Sequence, residues 1–223
     1  MKDGSRALFE IFQCPGLTIV LGSQRSGKTA AGFWALEKLH SLGYPCYFYS
    51  LDRRYDERLR RLLPEYIHIG HSLDFEQYPQ GGAILLDEAA RWANSRNFAK
   101  GEAAEKLVGD IATIGQRNQR VFVLIQSAAM LDVAFFRMGV RLLLKKYSPI
   151  SVAFERDGLN RVLAQLNSRL VRMDGKSWTA VVSDSDWGYV QVPLPSFWSD
   201  DLSVLWSYYH TSGGGNGGSS QRS

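Results

Sequence analysis

The strongest constraint on the fold is the segment Gly22 to Thr29, which reads GSQRSGKT and follows a short apolar run. That run, Leu17 to Leu21 (LTIVL), predicts a buried strand, and Lys28 to His40 predicts a helix. Glycine takes backbone conformations that are closed to larger residues, so Gly22 and Gly27 predict a tight turn whose amide groups point inward. A strand, a glycine turn and a helix in this order favour an α/β fold.

This turn fits the phosphate-binding pattern G-x-x-x-x-G-K-[ST] in full, and we call Gly22–Thr29 the P-loop. Its inward amides and the positive end of the following helix would bind phosphate oxygens. Lys28 is predicted to contact the β- and γ-phosphates of ATP, and the Thr29 hydroxyl to coordinate Mg²⁺. An accidental glycine-rich turn is the alternative, which the flanking strand and helix disfavour. The predicted nucleotide-binding residues are Gly22, Ser23, Gln24, Arg25, Ser26, Gly27, Lys28, Thr29 and Ala30.

A second apolar run, Ala83 to Leu86 (AILL), predicts a strand that ends in two adjacent carboxylates. Asp87 is predicted to hold Mg²⁺ together with Thr29, and Glu88 to polarise the water that attacks the γ-phosphate. The alternative for such a pair is the solvated start of a helix. The buried strand before the pair, together with the P-loop, favours the catalytic interpretation.

A polar pair also follows the predicted strand Val121 to Ile125, which we place between the P-loop strand and the Asp-Glu strand. A side chain at the tip of that strand would contact the γ-phosphate or its attacking water. Gln126 is the first candidate for this catalytic sensor and Ser127 the second. The alternative is a polar residue that only ends the strand.

Hydrolysis also concentrates charge on the transferred phosphoryl group, and an arginine often stabilises it. Arg117 is the predicted catalytic arginine because it comes just before the strand Val121 to Ile125. In a ring of subunits such an arginine acts on a neighbour's nucleotide. The alternative for each candidate is an ordinary surface arginine. The other candidates are Arg120, Arg137 and Arg141.

Apolar strands separated by helices, taken together with the P-loop and the Asp-Glu pair, resemble a P-loop NTPase fold of the RecA/ASCE type. This is a three-layer sandwich with a mainly parallel central sheet. A hairpin, Trp178–Val182 with Gly188–Val192, predicts a small antiparallel edge near the C-terminus.

Residues 1–150 would form the ATPase core, residues 151–211 would complete the same domain, and residues 212–223 would be a flexible Gly/Ser tail. The remaining predicted strands are Cys46–Leu51 and Val140–Leu144, and the remaining predicted helices are Asp56–Leu63, Glu102–Gln116, Met130–Met138, Leu159–Val171 and Phe197–Tyr209.

The composition of the chain constrains its partners and its location only weakly. The net charge of +4 and the pI of about 9.1 are compatible with a nucleic-acid partner without requiring one. The run from Asp52 to Arg61 holds five arginines against three acids, so it could contact a phosphate backbone or form a solvated helix face. The N-terminus lacks the apolar stretch of a signal peptide, and no apolar window is long enough to span a membrane. We therefore expect a cytoplasmic protein.

Two stretches carry a resemblance to a known family. The sequence AILLDEAARWANSR, Ala83 to Arg96, is similar to the Asp-Glu segment of zonula-occludens-toxin-like phage ATPases, which belong to the FtsK–HerA superfamily. The sequence IGQRNQRVFVLIQSAAMLDVAFFRMGVRLLLKK, Ile114 to Lys146, resembles that superfamily's arginine, strand, polar tip, helix and closing strand. With the P-loop, the resemblance covers Gly16 to Lys146. The family has Thr-Gln where this chain has Gln126-Ser127.

The resemblance implies a hexameric or pentameric ring that uses ATP to move double-stranded DNA. The short chain and the C-terminal hairpin favour the genome-packaging ATPases of icosahedral viruses. That branch implies capsid vertex proteins as partners and a location in the host cytoplasm or with the virion.

The alternatives are a toxin-like phage assembly ATPase, a terminase-type ATPase subunit, and a nucleotide-regulated assembly protein with slow hydrolysis. A P-loop kinase and an ABC-type subunit are disfavoured, because the sequence has neither an arginine-rich lid nor an LSGGQ-like segment.

Overall fold

The computed structural model describes residues 1–50, 53–87, 102–126, 141–148, 152, 159–174 and 176–204. Within these ranges the helices are α1 (Ser5–Gln13), α2 (Lys28–Ser41), α3 (Asp56–Leu62), α4 (Glu102–Gln116) and α5 (Leu159–Leu170). The strands are β1 (Gly16–Leu21), β2 (Cys46–Tyr49), β3 (Ile67–Gly70), β4 (Ala83–Leu86), β5 (Arg120–Ile125), β6 (Arg141–Leu144), β7 (Trp178–Val182) and β8 (Trp187–Gln191).

The strands form one eight-stranded sheet in the order β3-β2-β4-β5-β1-β6-β7-β8. Strands β1 to β6 pair in parallel, whereas β7 and β8 pair antiparallel at one side. The sheet confirms the predicted α/β fold with a mainly parallel sheet and a C-terminal hairpin. It also places β5 between β1 and β4, as predicted from the sequence. The carboxyl ends of all six parallel strands therefore lie at one edge.

The core has two faces because side chains along a strand alternate between the two sides of the sheet. Strands β1, β4 and β5 are buried almost throughout, as expected for parallel strands covered by helices. On one face Leu17, Ile19 and Leu21 pack in a cluster with Ile114 of α4 and with Leu163, Leu166 and Leu170 of α5. On the other face Val20 packs in a cluster with Ala7 and Ile11 of α1 and with Phe33 and Leu36 of α2.

Helix α2 is covered on two sides. Every residue from Ala30 to Leu36 is buried, which a surface helix with one apolar stripe would not show. The outer cover comes from the C-terminal segment, where the rings of Phe197 and Trp198 lie 5.8 and 6.4 Å from the ring of Phe33. The helix that opens the P-loop is therefore fixed between the sheet and this segment.

Two buried arginines hold the N-terminal helix at the amino edge of the sheet. The Arg120 guanidinium donates to the carbonyl oxygens of Phe12 and Gln13, each at 2.6 Å. The Arg141 guanidinium donates to the Cys14 carbonyl at 2.8 Å and to Asp184. The last carbonyls of a helix lack intrahelical partners and carry partial negative charge, so both arginines stabilise the end of α1.

The predicted elements differ from the observed ones in a few places. Strand β3 was not predicted, because only Ile67 of its four residues is fully buried, as is typical of an edge strand. The last helix was predicted from Phe197 but begins at residue 200, where the Ser199 hydroxyl accepts from the Leu202 amide at 3.1 Å. The helix predicted at Met130–Met138 lies outside the described residues. No helix in the described ranges is long and apolar enough to cross a bilayer.

The N-terminal segment closes the free side of β8. Asp3 forms a parallel bridge to Tyr189, and the Gly4 amide donates to the Tyr189 carbonyl at 3.1 Å. The two chains approach so closely that a Cβ atom on Gly188 would lie 2.5 Å from the backbone of Asp3 and Gly4. Neither backbone can move away without breaking these hydrogen bonds.

We predict that Gly188→Ala lowers the free energy of unfolding by about 1–3 kcal/mol, because overpacking displaces the N-terminal segment. Urea unfolding monitored by tryptophan fluorescence measures the change. Gly109→Ala in α4 is the matched control: its added methyl group meets no atom within 4 Å, so helix propensity should raise stability by up to about 1 kcal/mol. Equal stability of Gly188→Ala and the unmodified protein would contradict the packing described for β8.

Candidate nucleotide-binding site

The P-loop turns sharply between β1 and α2. Gly27, the residue before α2, has φ +87°, and Arg25 has φ +60°. Glycine adopts this left-handed conformation freely, whereas for arginine it costs about 1–2 kcal/mol. The Ser26 amide donates to the Ser23 carbonyl at 3.2 Å and closes the turn. Such backbone strain in a non-glycine residue is concentrated at functional sites.

The inner wall of the loop leaves no room for a side chain at Gly22. A Cβ atom there would lie 2.5 Å from the Ser26 hydroxyl and 2.8 Å from Cβ of Lys145. The Ser26 hydroxyl is itself buried and has no hydrogen-bond partner within the described part of the chain. Leaving a buried hydroxyl unpaired costs about 1–3 kcal/mol, and a phosphate oxygen in the loop would supply a partner. These features fit the predicted phosphate site.

Lys28 opens α2 with its side chain directed into the loop. Its ammonium group donates to the Ser23 carbonyl oxygen at 2.8 Å. Burial lowers the pKa of Lys28 to about 8, and attraction to Asp87 partly offsets that shift. A desolvated ammonium group attracts an anion more strongly than one in water.

The P-loop and the Asp-Glu strand meet at the carboxyl edge of the sheet. The Thr29 hydroxyl donates to the Asp87 carboxylate at 3.3 Å, although the two residues are 58 positions apart in the sequence. A hydroxyl and a carboxylate are hard oxygen ligands, which Mg²⁺ prefers. The donor set at this contact therefore fits the predicted magnesium site.

The remaining predicted residues divide by location. Gln126 is exposed directly after β5, at the same edge and on the strand between the P-loop and Asp87. Ala30 is buried in the first turn of α2. Glu88 and Ser127 lie outside the described residues, so their catalytic roles stay predictions.

The structure does not bring Arg117 to the P-loop of its own chain. Arg117 precedes β5, at the amino edge of the sheet, and the length of that strand separates it from the P-loop edge by about 20 Å. Its guanidinium donates to the carbonyl oxygens of Glu76 and Tyr78, at 3.1 and 2.7 Å. Action of Arg117 on a neighbouring subunit's nucleotide stays a prediction.

The other candidates for the catalytic arginine are Arg120, Arg141 and Arg137. Arg120 and Arg141 are buried and hold the end of α1, so their candidacy as catalytic arginines was wrong. Arg137 lies outside the described residues.

One wall of the site was not predicted from the sequence. The segment after β6 supports the P-loop: the Ser23 amide donates to the Lys146 carbonyl at 3.1 Å, and the Ser148 amide donates to the Ser23 hydroxyl at 2.7 Å. A cavity of about 520 Å³ opens there, a volume that suits a nucleoside. Its lining comprises Ser23, Gln24, Arg25, Ser26, Lys146, Tyr147, Ser148, Val171, Met173, Asp174 and Lys176.

Only one part of this wall has a signal in the sequence. The strand LLL followed by two lysines, Lys145 and Lys146, could have indicated it, because the strand beside β1 must end at the P-loop edge. No local pattern marks the residues from Val171 to Lys176.

The arginine-rich run from Asp52 to Arg61 comes after β2 in the sequence. Its first described residue, Arg53, follows the carboxyl end of that strand, at the sheet edge that carries the P-loop. His71, directly after β3, bonds to the Ser50 carbonyl at 2.9 Å and to the Asp56 carboxylate at 2.8 Å, which fixes the start of α3. Arg53 and Arg54 are exposed beside this junction. Three strand spacings separate β2 from β1, so the end of β2 lies about 14 Å from the end of β1, where the P-loop begins.

Solved structures share the fold of this chain. The genome-packaging NTPase B204 of Sulfolobus turreted icosahedral virus 2, in complex with ATP-gammaS, aligns with a TM-score of 0.54 and 10% identity, over 81% of this chain and 98% of that one. The DNA-packaging ATPase B204 of Sulfolobus turreted icosahedral virus aligns with a TM-score of 0.53 and 6% identity, over 81% and 98%. The chain has the fold of the viral genome-packaging NTPases.

A third solved structure extends the comparison. The pCW3 conjugation coupling protein TcpA, in its monomer form with ATPgS, aligns with a TM-score of 0.52 and 12% identity, over 88% of this chain and 66% of that one. The resemblance stated from the sequence is thus confirmed at the level of the fold. No family model and no curated protein sequence matches the chain.

We predict that Lys28→Ala reduces affinity for a non-hydrolysable ATP analogue with Mg²⁺ at least about 100-fold, because it removes the cation inside the loop. Isothermal titration calorimetry measures the affinity. Lys38→Ala is the matched control, since Lys38 is exposed near the other end of the same helix and should bind like the unmodified protein. Retention of full affinity by Lys28→Ala would remove Lys28 from the site.

Proposed function

We propose that this protein is a Mg²⁺-dependent ATPase that drives the translocation of double-stranded DNA, in the manner of a viral genome-packaging motor. The observation that carries the ATPase proposal is the contact between the Thr29 hydroxyl and the Asp87 carboxylate, beside the Lys28 ammonium group. A lysine, a hydroxyl and a carboxylate at the end of parallel strands form the set that phosphoryl transfer requires.

Each residue has a distinct role in this proposal. The amides of the P-loop and the first turn of α2 bind the phosphate oxygens, and Lys28 binds the β- and γ-phosphates. Thr29 and Asp87 would hold Mg²⁺, which would offset the negative charge of the phosphates. Glu88 orients and polarises the attacking water, while Gln126 or Ser127 contacts the γ-phosphate. The cavity beside Ser23 accommodates the nucleoside.

The choice of DNA as the polymer rests on two supports. Solved proteins of this fold include a DNA-packaging ATPase, a genome-packaging NTPase and a conjugation coupling protein. In addition, the exposed arginines after β2 stand at the same edge of the sheet as the P-loop. Guanidinium groups at that edge would bind backbone phosphates and would make binding sensitive to salt.

A ring of subunits completes the proposal. Arg117 lies at the edge opposite its own P-loop, so a catalytic role requires a second copy of the chain. The Arg117 guanidinium bonds to the carbonyls of Glu76 and Tyr78. These bonds would hold it in a fixed position for contact with the neighbouring subunit. We propose a hexamer or pentamer that docks on a capsid vertex.

We predict that double-stranded DNA raises the rate of ATP hydrolysis several-fold at low salt and that the stimulation falls as salt rises, because arginine–phosphate contacts release counterions. Phosphate release, measured with and without DNA across a salt series, tests this. Glu88→Gln is the control: it should bind ATP but release no phosphate, since the carboxylate that polarises water is lost.

Three outcomes would contradict parts of the proposal. Hydrolysis that is indifferent to DNA at every salt concentration would favour a nucleotide-regulated assembly protein over a motor. Full turnover by Glu88→Gln would exclude Glu88 as the catalytic carboxylate. A strictly monomeric particle in the presence of DNA and an ATP analogue would exclude the ring.

A further inference from the structure

A second lysine lies buried directly behind the P-loop. Lys145 follows β6, and only 1% of its surface is exposed, whereas the next residue, Lys146, is exposed. The Lys145 side chain passes both glycines of the loop. Its Cβ lies 2.8 Å from the position that a Cβ on Gly22 would take, and its Nζ lies 4.0 Å from the corresponding position on Gly27.

The Lys145 ammonium group joins the P-loop to the start of the C-terminal hairpin. It donates to the Lys176 carbonyl at 2.6 Å and to the Thr179 hydroxyl at 3.2 Å. The Lys176 carbonyl in turn lies 3.4 Å from the position of a Cβ on Gly27. Lys176 also lines the cavity beside Ser23. The lysine thus fixes one wall of that cavity relative to the P-loop.

Packing alone does not explain a charged residue here. Among the described residues no carboxylate lies within ion-pair distance of Lys145. Asp174 attracts the ammonium group from farther away, but burial dominates and lowers the pKa of Lys145 to about 8. Burying a charge without a counterion is costly, and an apolar side chain of similar length would avoid that cost. An anion bound in front of Gly27 would supply the missing counter-charge.

We propose that Lys145 is a positioning residue for the bound nucleotide. Its ammonium group holds the Lys176 segment against Gly27 and places a positive charge behind the P-loop, where it stabilises a polyphosphate. This inference rests on the proposed nucleotide site. It gives the P-loop two cations, with Lys28 inside the loop and Lys145 behind it.

The proposal implies a specific pH dependence. Burial lowers the pKa of Lys145 to about 8 in the free protein, and a bound polyphosphate would favour the charged form of Lys145 and raise that pKa. Binding then takes up protons, so affinity is greatest below pH 8 and falls as the pH rises above it. The charged groups on the surrounding segments are Arg25 and Lys28 in the P-loop, together with Lys146, Asp174 and Lys176, and both Lys145 variants leave them unchanged.

The test compares Lys145→Met with the unmodified protein by calorimetry, using a non-hydrolysable ATP analogue and AMP as probes. We predict that Lys145→Met weakens binding of the triphosphate about tenfold or more and binding of AMP much less, because the lost charge acts mainly on the phosphates. Its affinity should also fall less steeply between pH 7.5 and 9.5. Lys145→Gln keeps an N–H donor without the charge, so we expect it to lose the same affinity as Lys145→Met. It replaces Lys145→Met in the test if that variant is unstable.

The outcomes separate this inference from the proposed function. If the unmodified protein binds the analogue, Lys28→Ala does not, and both Lys145 variants bind normally, then the role of Lys145 is wrong while the nucleotide site stands. Equal losses for the triphosphate and AMP, with an unchanged pH profile, would show that Lys145 is only structural. Failure of the unmodified protein to bind any nucleotide would overturn both proposals.

Discussion

The parallel pairing of β4, β5 and β1 is the constraint on which the site depends. It aligns the carboxyl ends of three strands that are far apart in the sequence, so that the P-loop, Gln126 and Asp87 emerge at one edge. The contact between Thr29 and Asp87 follows from this register and from the helix that the P-loop begins. A slip of one residue in a strand would turn every side chain to the opposite face, where the side chains of β1 and β5 would lose the packing partners that they have in the two core clusters.

Buried cations have two different functions in this fold. Arg120 and Arg141 bond to backbone carbonyls at the amino edge, and their role is to hold α1. Lys28 and Lys145 stand at the carboxyl edge, where burial lowers the pKa of each to about 8. Positive charge is unfavourably buried at that edge, and the Ser26 hydroxyl has no hydrogen-bond partner among the described residues. A bound polyphosphate would supply a counter-charge for the lysines and an acceptor for the hydroxyl.

Much of the fold could be predicted because its signals are local. The strands and helix around the P-loop follow from apolar runs and glycine positions, and β4 and α4 were predicted with the observed bounds. The place of β5 between β1 and β4 was inferred from the pattern of motifs. The edge strand β3 and the wall from Val171 to Lys176 were missed, because each owes its place to distant contacts. The location of Arg117 at the opposite edge required the three-dimensional structure, since the sequence shows only that it precedes β5.

An experimental structure of the protein with a non-hydrolysable ATP analogue and Mg²⁺ would test the nucleotide site at this edge of the sheet. The proposed site predicts β- and γ-phosphates inside Gly22–Thr29, with the Lys28 ammonium group within hydrogen-bonding distance of them instead of on the Ser23 carbonyl. It also predicts Thr29 and Asp87 beside the metal. An analogue bound elsewhere at saturating concentration, with Lys28 still bonded to Ser23, would contradict it.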